Sequence, residues 1–403
     1  MAVAFIPLAL GIFVCTGAAG LASVGGGKEE EMEHPGHGPG AEAIRDYYFG
    51  GSGAESTLSW NRRDWDAIEL VPRVLRNVAR LDPAVDLAGR RIPLPLVVAP
   101  MAYTSLLHPR AEAVIAEVAA RHGLSYCLST RSAVPLEEVA DAFRRGLKGW
   151  SASGPQPALA FQLYVMRDHR FSDSLVRRAA KSGYEAIYVT VDAPYIGIRM
   201  RDRENSFAVP EEFLSANIAQ ELEGWVVEES ETRFGAGVSS ARFSGLAPDP
   251  GVDWSGLGEI IELAGGMQVF LKGVLSGADL SLAGELPVAG VVVSNHGGRQ
   301  LDGTISTARA LYRMEPELRE YQGAVLVDGA IASGSDVVRA LGLGARAAMV
   351  GRHLARALYE RGEEGLERAV SLLVEDVKVS LALAGASRPE MVERSQLLVP
   401  PGW

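Results

Sequence analysis

The first 27 residues contain no Asp, Glu, Lys or Arg, and the whole chain of 403 residues contains only two cysteines. With Cys15 and Cys127 alone there is no disulfide framework, so a reducing compartment such as the cytoplasm is acceptable; Cys127, inside an apolar run, reads as core. Basic residues are in the minority. Against 50 Asp and Glu stand 39 Lys and Arg, a net charge of −11, which argues against nucleic acid because phosphate neutralisation needs a basic face. A small anion would have to be held by a local cluster. Metal ligands at useful spacing are also missing: His34 and His37 sit in an acidic, Gly- and Pro-bearing tract and read as solvated.

The uncharged N-terminal run, AVAFIPLALGIFVCTGAAGLASV, is nearly long enough to cross a bilayer. It lacks the basic segment that opens a secretory signal, and its far flank, KEEEMEHPGHGPG, lacks the Lys/Arg bias of a membrane anchor. An upstream extension and an anchor touching a membrane through residues 2–24 therefore stay open together. Residues 1–40 are expected to be this apolar segment and a linker, and residues 41–403 one globular unit. A composition 47% hydrophobic and 22% charged suits such a unit.

What is present is a rhythm. Eight short apolar segments occupy 94–100, 125–130, 158–164, 186–192, 269–274, 290–296, 324–330 and 347–352, most of them separated by an amphipathic helical stretch such as AEAVIAEVAARHG or GSDVVRALGLG. Eight strand-helix units predict an α/β fold, a (β/α)8 TIM barrel. A helical start, a Gly-rich turn and a second helix precede it from Ala41, and a helical tract from His353 to Ala386 follows it. The interval after the fourth strand is too long for one connection. Its polar, Gly-rich text at 203–254 reads as a lid over the catalytic face.

The sixth segment runs into VVVSNHGGRQLDG, residues 291–303. A buried strand that ends in Ser294, Asn295, His296, two glycines and Arg299 delivers polar groups to an edge. His296 can exchange a proton near neutral pH, and Arg299 offers a planar fork that fits a carboxylate. A bare HxxR would serve equally well as a capped strand end. The nine residues SNHGGRQLD decide between the two, for they resemble the signature of the FMN-dependent 2-hydroxy-acid oxidases and dehydrogenases, the family of glycolate oxidase, lactate oxidase and mandelate dehydrogenase. The likeness extends from about Tyr47 to about Ala386, and the segments at 50–53 and 102–109 look most like the hydroxymandelate oxidase branch.

In a TIM barrel the C-terminal strand ends carry the site. Here they present Ala99, Pro100, Met101, Ala102 and Tyr103, then Ser129, Thr130 and Arg131, then Gln162 and Tyr164, then Thr190 and Asp192, then Lys272, Ser294 and His296, and finally Asp328, Gly329, Ala330, Gly351 and Arg352. The FMN that the resemblance implies gives each a task. Ser129, Gln162 and Thr190 would bond the polar edge of the ring system, and the backbone from Ala99 to Ala102 would pack along it. Lys272 would place a positive charge where reduction leaves a negative one. Ser294 and Asp328 belong to the same cofactor set, and Gly329, Ala330, Gly351 and Arg352 would receive the phosphate. Asp192 would hold the tautomer of His296, the base; Arg299 and Arg199 would grip the substrate carboxylate, with Tyr47 as an extra donor and Tyr164 near the hydroxyl.

Three positions depart from the family pattern. Arg131 stands where relatives have Trp, Ala330 where they have Gly, and Ala332 where an arginine typically reaches the FMN phosphate. The resemblance implies oxidation of a small (S)-2-hydroxy acid to a 2-oxo acid, with oxygen reoxidising the flavin to give peroxide, in a homo-oligomer, commonly a tetramer. A membrane-associated quinone-linked dehydrogenase is the alternative if residues 2–24 are an anchor. A flavin-binding barrel without turnover, or an FMN barrel such as type 2 isopentenyl diphosphate isomerase, are the other rivals; the latter would not need the His296/Arg299 pair.

Overall fold

Eight parallel strands close into a barrel in a computed structural model that describes residues 40–150, 154–210, 213, 216–217 and 247–403. In chain order they are β1 (Leu96–Val98), β2 (Ser125–Ser129), β3 (Leu159–Leu163), β4 (Ala186–Thr190), β5 (Gln268–Val274), β6 (Gly290–Val293), β7 (Ala324–Val327) and β8 (Ala347–Val350), and β8 pairs back onto β1. Each lies inside, or within one residue of, a segment read from the sequence. Parallel strands packed on both faces have no reason to alternate, so Val291, Val292 and Val293 are all fully buried.

Two apolar layers form. Inside the barrel, small residues (Ala160, Ala186, Ala324, Ala347) make room for Tyr188 and Phe270, whose rings stack with centroids 4.8 Å apart, and for Cys127. A ribbon of two strands, Val85–Leu87 and Arg90–Ile92, contributes Val85, Leu87 and Ile92 to this same cluster. The larger core lies between strands and helices. The last helix, Arg352–Leu383, is not the single tract expected: at Gly362, φ 60 and ψ −154 lie in a region open essentially to glycine and break it into two rods.

Register places the polar strand ends at one level. Ser129 pairs with Gln162 across β2 and β3, and Thr190 with Lys272 across β4 and β5. Two N-terminal helices, α1 (Ala41–Phe49) and α2 (Ser56–Asp66), are tied to this rim. Asp302 accepts from the backbone N–H of Ala54 and of Thr57, each at 2.9 Å, and so fixes the start of α2. Asn61 and Asn295 exchange two buried amide hydrogen bonds of 2.9 and 2.7 Å, which lock α2 to the loop that carries His296.

The apolar segment and linker of residues 1–39, and with them the question of an anchor, lie outside the described residues, as does most of the lid at 218–246. Among the described residues no helix is long and apolar enough to cross a membrane.

Candidate active site

The rim carries a continuous row of bonded polar groups. Ser129 Oγ donates to Gln162 Oε1 at 3.3 Å, and Gln162 Nε2 donates to Thr190 Oγ1 at 2.8 Å. On the strands that follow, Lys272 Nζ donates to Ser294 Oγ at 2.9 Å and lies 3.0 Å from Asp328 Oδ2, while Ser294 Oγ donates to Asp328 Oδ2 at 2.9 Å. Burial works against the ammonium, but Asp328 and Asp192 outweigh it, so Lys272 is held above the ordinary lysine value. The result is a fixed positive charge in the floor of the site.

Beside it stands a three-member chain. Asp192 Oδ1 is 3.1 Å from His296 Nδ1, and Tyr164 Oη is 3.3 Å from His296 Nε2. An ionised carboxylate can only accept, so Nδ1 carries the hydrogen and Nε2 is left as the acceptor. Burial opposes the charge on Asp192, yet His296 and Lys272 keep its carboxyl below the usual range. Gly273 makes the approach possible: its φ is +122 and a Cβ there would fall 2.6 Å from Asp192 Cβ. His296 itself is left-handed at φ 56, with its N–H bonded to Ser294 Oγ at 3.1 Å, a conformation that costs a non-glycine residue roughly 1–2 kcal/mol.

Two guanidinium groups face the same space. Arg299 and Arg199 stand 5.0 and 5.3 Å from the centre of the Tyr47 ring. Arg299 Nη1 donates to the carbonyls of Tyr47 and Gly50 at 2.5 and 3.2 Å, and Arg199 pairs with Asp202 at 3.5 Å. Burial and the neighbouring Arg199 pull the Arg299 pKa down to about 9, and among the described residues the buried Arg199 Nε has no hydrogen-bond partner. Among the described residues these two buried cations share the carboxylate of Asp202, an excess of positive charge that favours an added anion.

The third region lies at the ends of β7 and β8. Gly329 and Ala330 are both left-handed, at φ 88 and 66, and a Cβ at Gly329 would meet Thr307 Oγ1 at 2.7 Å. Trp65 Nε1 holds the Gly329 carbonyl at 2.8 Å, and Arg62 donates to the Ala330 carbonyl at 2.8 Å while pairing with Asp336 and Asp66. Opposite, the last helix starts with Arg352, His353 and, one turn on, Arg356.

One cavity of about 540 Å³ joins the three regions, a size usual for a small-molecule site. Ala99, Pro100, Met101, Ala102, Ser129, Gln162, Thr190, Lys272, Asp328, Gly329, Ala330, Gly351 and Arg352 all line it, as do Tyr47, Tyr164, Arg199, His296 and Arg299. Asp192 and Ser294 do not line it; they stand behind His296 and Lys272 and hold them. Arg131 also lies off the wall, with its side chain bonded to the Tyr103 phenol. Arg62, Leu58, His353 and Arg356 line the cavity without having stood out in the sequence. The only available signal was i, i+4 spacing, which puts Leu58 and Arg62, and likewise Arg352 and Arg356, on one helix face.

The residues fit FMN. A flat, polar-edged ring system suits the row Ser129, Gln162 and Thr190, and on the wall of the cavity Asp328 Oδ1 is buried with no partner among the described residues. Lys272 supplies a charge under the ring, and the far end gathers four basic side chains, Arg62, Arg352, His353 and Arg356, for a phosphate. Among the described residues no group of His, Cys, Asp and Glu could hold a metal ion.

Comparison with known proteins agrees. The profile of the family FMN-dependent dehydrogenase matches residues 41–399. The chain is 38% identical to 4-hydroxymandelate oxidase of Amycolatopsis orientalis over 85% of its own length and 90% of that protein's. It is 36% identical to L-lactate oxidase of Nostoc sp., over 87% and 92%. A solved structure of a mandelate oxidase mutant with the C4a-OH-FMN adduct superposes with a TM-score of 0.75 at 35% identity, covering 90% of this chain and 96% of that one. With the profile spanning its barrel and these relatives matched along most of their length, the chain belongs to the FMN-dependent dehydrogenase family and is an oxidoreductase whose cofactor is FMN.

Proposed function

We propose that the protein oxidises a small (S)-2-hydroxy acid to the 2-oxo acid, and that residues 41–403 form the catalytic unit. The observation that carries the reading is the placement of His296 Nε2, backed by Asp192 and next to Tyr164, in the same cavity as the Arg299 and Arg199 guanidinium groups. Arg299 and Arg199 hold the substrate carboxylate in a bidentate grip, with the Tyr47 ring beneath both guanidinium groups. The grip turns the 2-hydroxyl toward Tyr164 and His296. The proton of the hydroxyl or of C2 passes to Nε2, and Asp192 stabilises the imidazolium that results. FMN, held by these residues, would supply the acceptor for the two electrons and the substrate's other hydrogen, with oxygen as the final acceptor and hydrogen peroxide as the product. Lys272 and the buried Ser294–Asp328 pair steady the charge that collects at the floor of the site.

An aryl substrate of the hydroxymandelate type is favoured by the text at 50–53 and 102–109 and by the 38% identity to 4-hydroxymandelate oxidase. The reading takes the protein as a cytoplasmic homo-oligomer, in keeping with its two cysteines for the compartment and with the family resemblance for the assembly; a membrane-bound, quinone-linked dehydrogenase is the second reading, carried by the uncharged residues 1–27. The test is oxygen uptake and peroxide release by the purified full chain with glycolate, lactate and mandelate, repeated with a soluble quinone. One peroxide per acid oxidised, fastest with mandelate, is expected. Reduction of the quinone with oxygen untouched would favour the second reading, and no flavin bleaching with any acid would dismiss both.

A further inference from the structure

We propose that Arg356, one turn into the last helix, supplies the charge for the FMN phosphate that position 332 lacks. The cavity end bounded by residues 329–332 and by the start of that helix is where the phosphate belongs, and Ala332 lines it with a methyl group only. The basic side chains around it are not equivalent. Arg62 is spent on protein: its guanidinium meets Asp66 and Asp336 at 2.7 and 2.8 Å and the Ala330 carbonyl at 2.8 Å, so it holds the loop in place with its charge already matched. Arg352 also lines the cavity, but both guanidinium ends are taken, donating to the carbonyls of Gly297 and Gly50 beside the His296 loop. His353 lies next to Asp336 and Arg356, and burial, helped by Arg356, lowers its affinity for a proton.

Arg356 differs from all three. Among the described residues it has no carboxylate or carbonyl partner; its guanidinium lies 4.7 Å over the Phe49 ring and it lines the cavity. Stacking leaves the edge N–H groups free to donate while fixing the plane of the fork, so little side-chain entropy remains to be lost on binding. Its helix position, four residues after Arg352, turns it to the same face and thus to the same cavity. The start of the helix, Gly351 to His353, lines the same cavity, and a helix N-terminus favours an anion. The inference concerns the cofactor alone and does not depend on which acid is oxidised.

Riboflavin, which lacks the phosphate, separates this contact from every other one. Full-length protein stripped of flavin is titrated with FMN and with riboflavin, following flavin fluorescence. Arg356→Leu is expected to raise the FMN dissociation constant about 10- to 100-fold, the range for one charge-assisted hydrogen bond, and to leave riboflavin unchanged. Ala332→Arg is expected to change little in the parent and to restore FMN affinity in the Arg356→Leu background. Equal losses for both ligands, no loss for FMN, or a full 10- to 100-fold gain from Ala332→Arg in the parent would each overturn the assignment.

Discussion

Asp192 Oδ1 lies 3.1 Å from His296 Nδ1, and that contact decides which nitrogen of the imidazole faces the cavity bare. Asp192→Asn keeps the shape but can donate to Nδ1, which moves the ring hydrogen to Nε2 and blocks proton uptake there. Turnover should fall by about 10² to 10⁴, the range for acid–base catalysis, with FMN still bound. Steady-state rates on FMN-saturated variant check it; a variant within threefold of the parent would remove Asp192 from the account.

Lys272 and Asp328 form a buried pair 3.0 Å apart, and removing one member leaves an uncompensated charge. Lys272→Met should destabilise the protein by about 3–5 kcal/mol, read from urea midpoints. The sign with pH follows from the raised pKa of Lys272. Its contribution is complete below the unfolded lysine value of about 10.4 and is lost as pH rises through the higher folded value. The parent's advantage over the variant should therefore be flat through neutral pH and shrink only in strong alkali.

Arg299→Lys keeps a charge but loses the fork. Carboxylate binding should weaken by roughly 1.5–3 kcal/mol, seen as a higher KM for the acid. An unchanged KM together with unchanged turnover would assign the carboxylate to Arg199 alone.

Ala330 sits at φ 66, where a Cβ costs roughly 1–2 kcal/mol, while glycine returns roughly 0.4–1 kcal/mol to the unfolded chain. Ala330→Gly should thus be neutral or stabilising by up to about 1 kcal/mol in thermal unfolding, although Gly for Ala elsewhere usually destabilises.

The barrel was legible because strands buried on both faces must be unbroken apolar runs, and each run could be followed to the polar residue that ends it. The site was legible for the same reason: register sets Ser129 beside Gln162 and Thr190 beside Lys272, so rim residues in sequence become neighbours in space. Depth was not legible. Asp192 stands behind His296, as its expected task of holding the imidazole requires, but Ser294 read as a cofactor contact and stands behind Lys272, since a sequence does not say which polar group faces the cavity and which supports it. The ribbon at Val85–Leu87 and Arg90–Ile92 is too short to leave a pattern. Nothing in the sequence marked Arg62 and Arg356, because what separates them from other surface arginines is a neighbour remote in the chain, Asp336 for one and Phe49 for the other. The break at Gly362 was hidden in a helical text rich in Arg and Glu.

The central claim is that His296 takes the proton in the oxidation of a 2-hydroxy acid. Anaerobic rapid mixing of FMN-loaded protein with mandelate, followed by flavin absorbance, tests it in one turnover without any acceptor. The parent should bleach, and His296→Gln, with the same bound FMN, should bleach at least 10²-fold more slowly. A His296→Gln protein that bleaches at the parental rate would contradict the account.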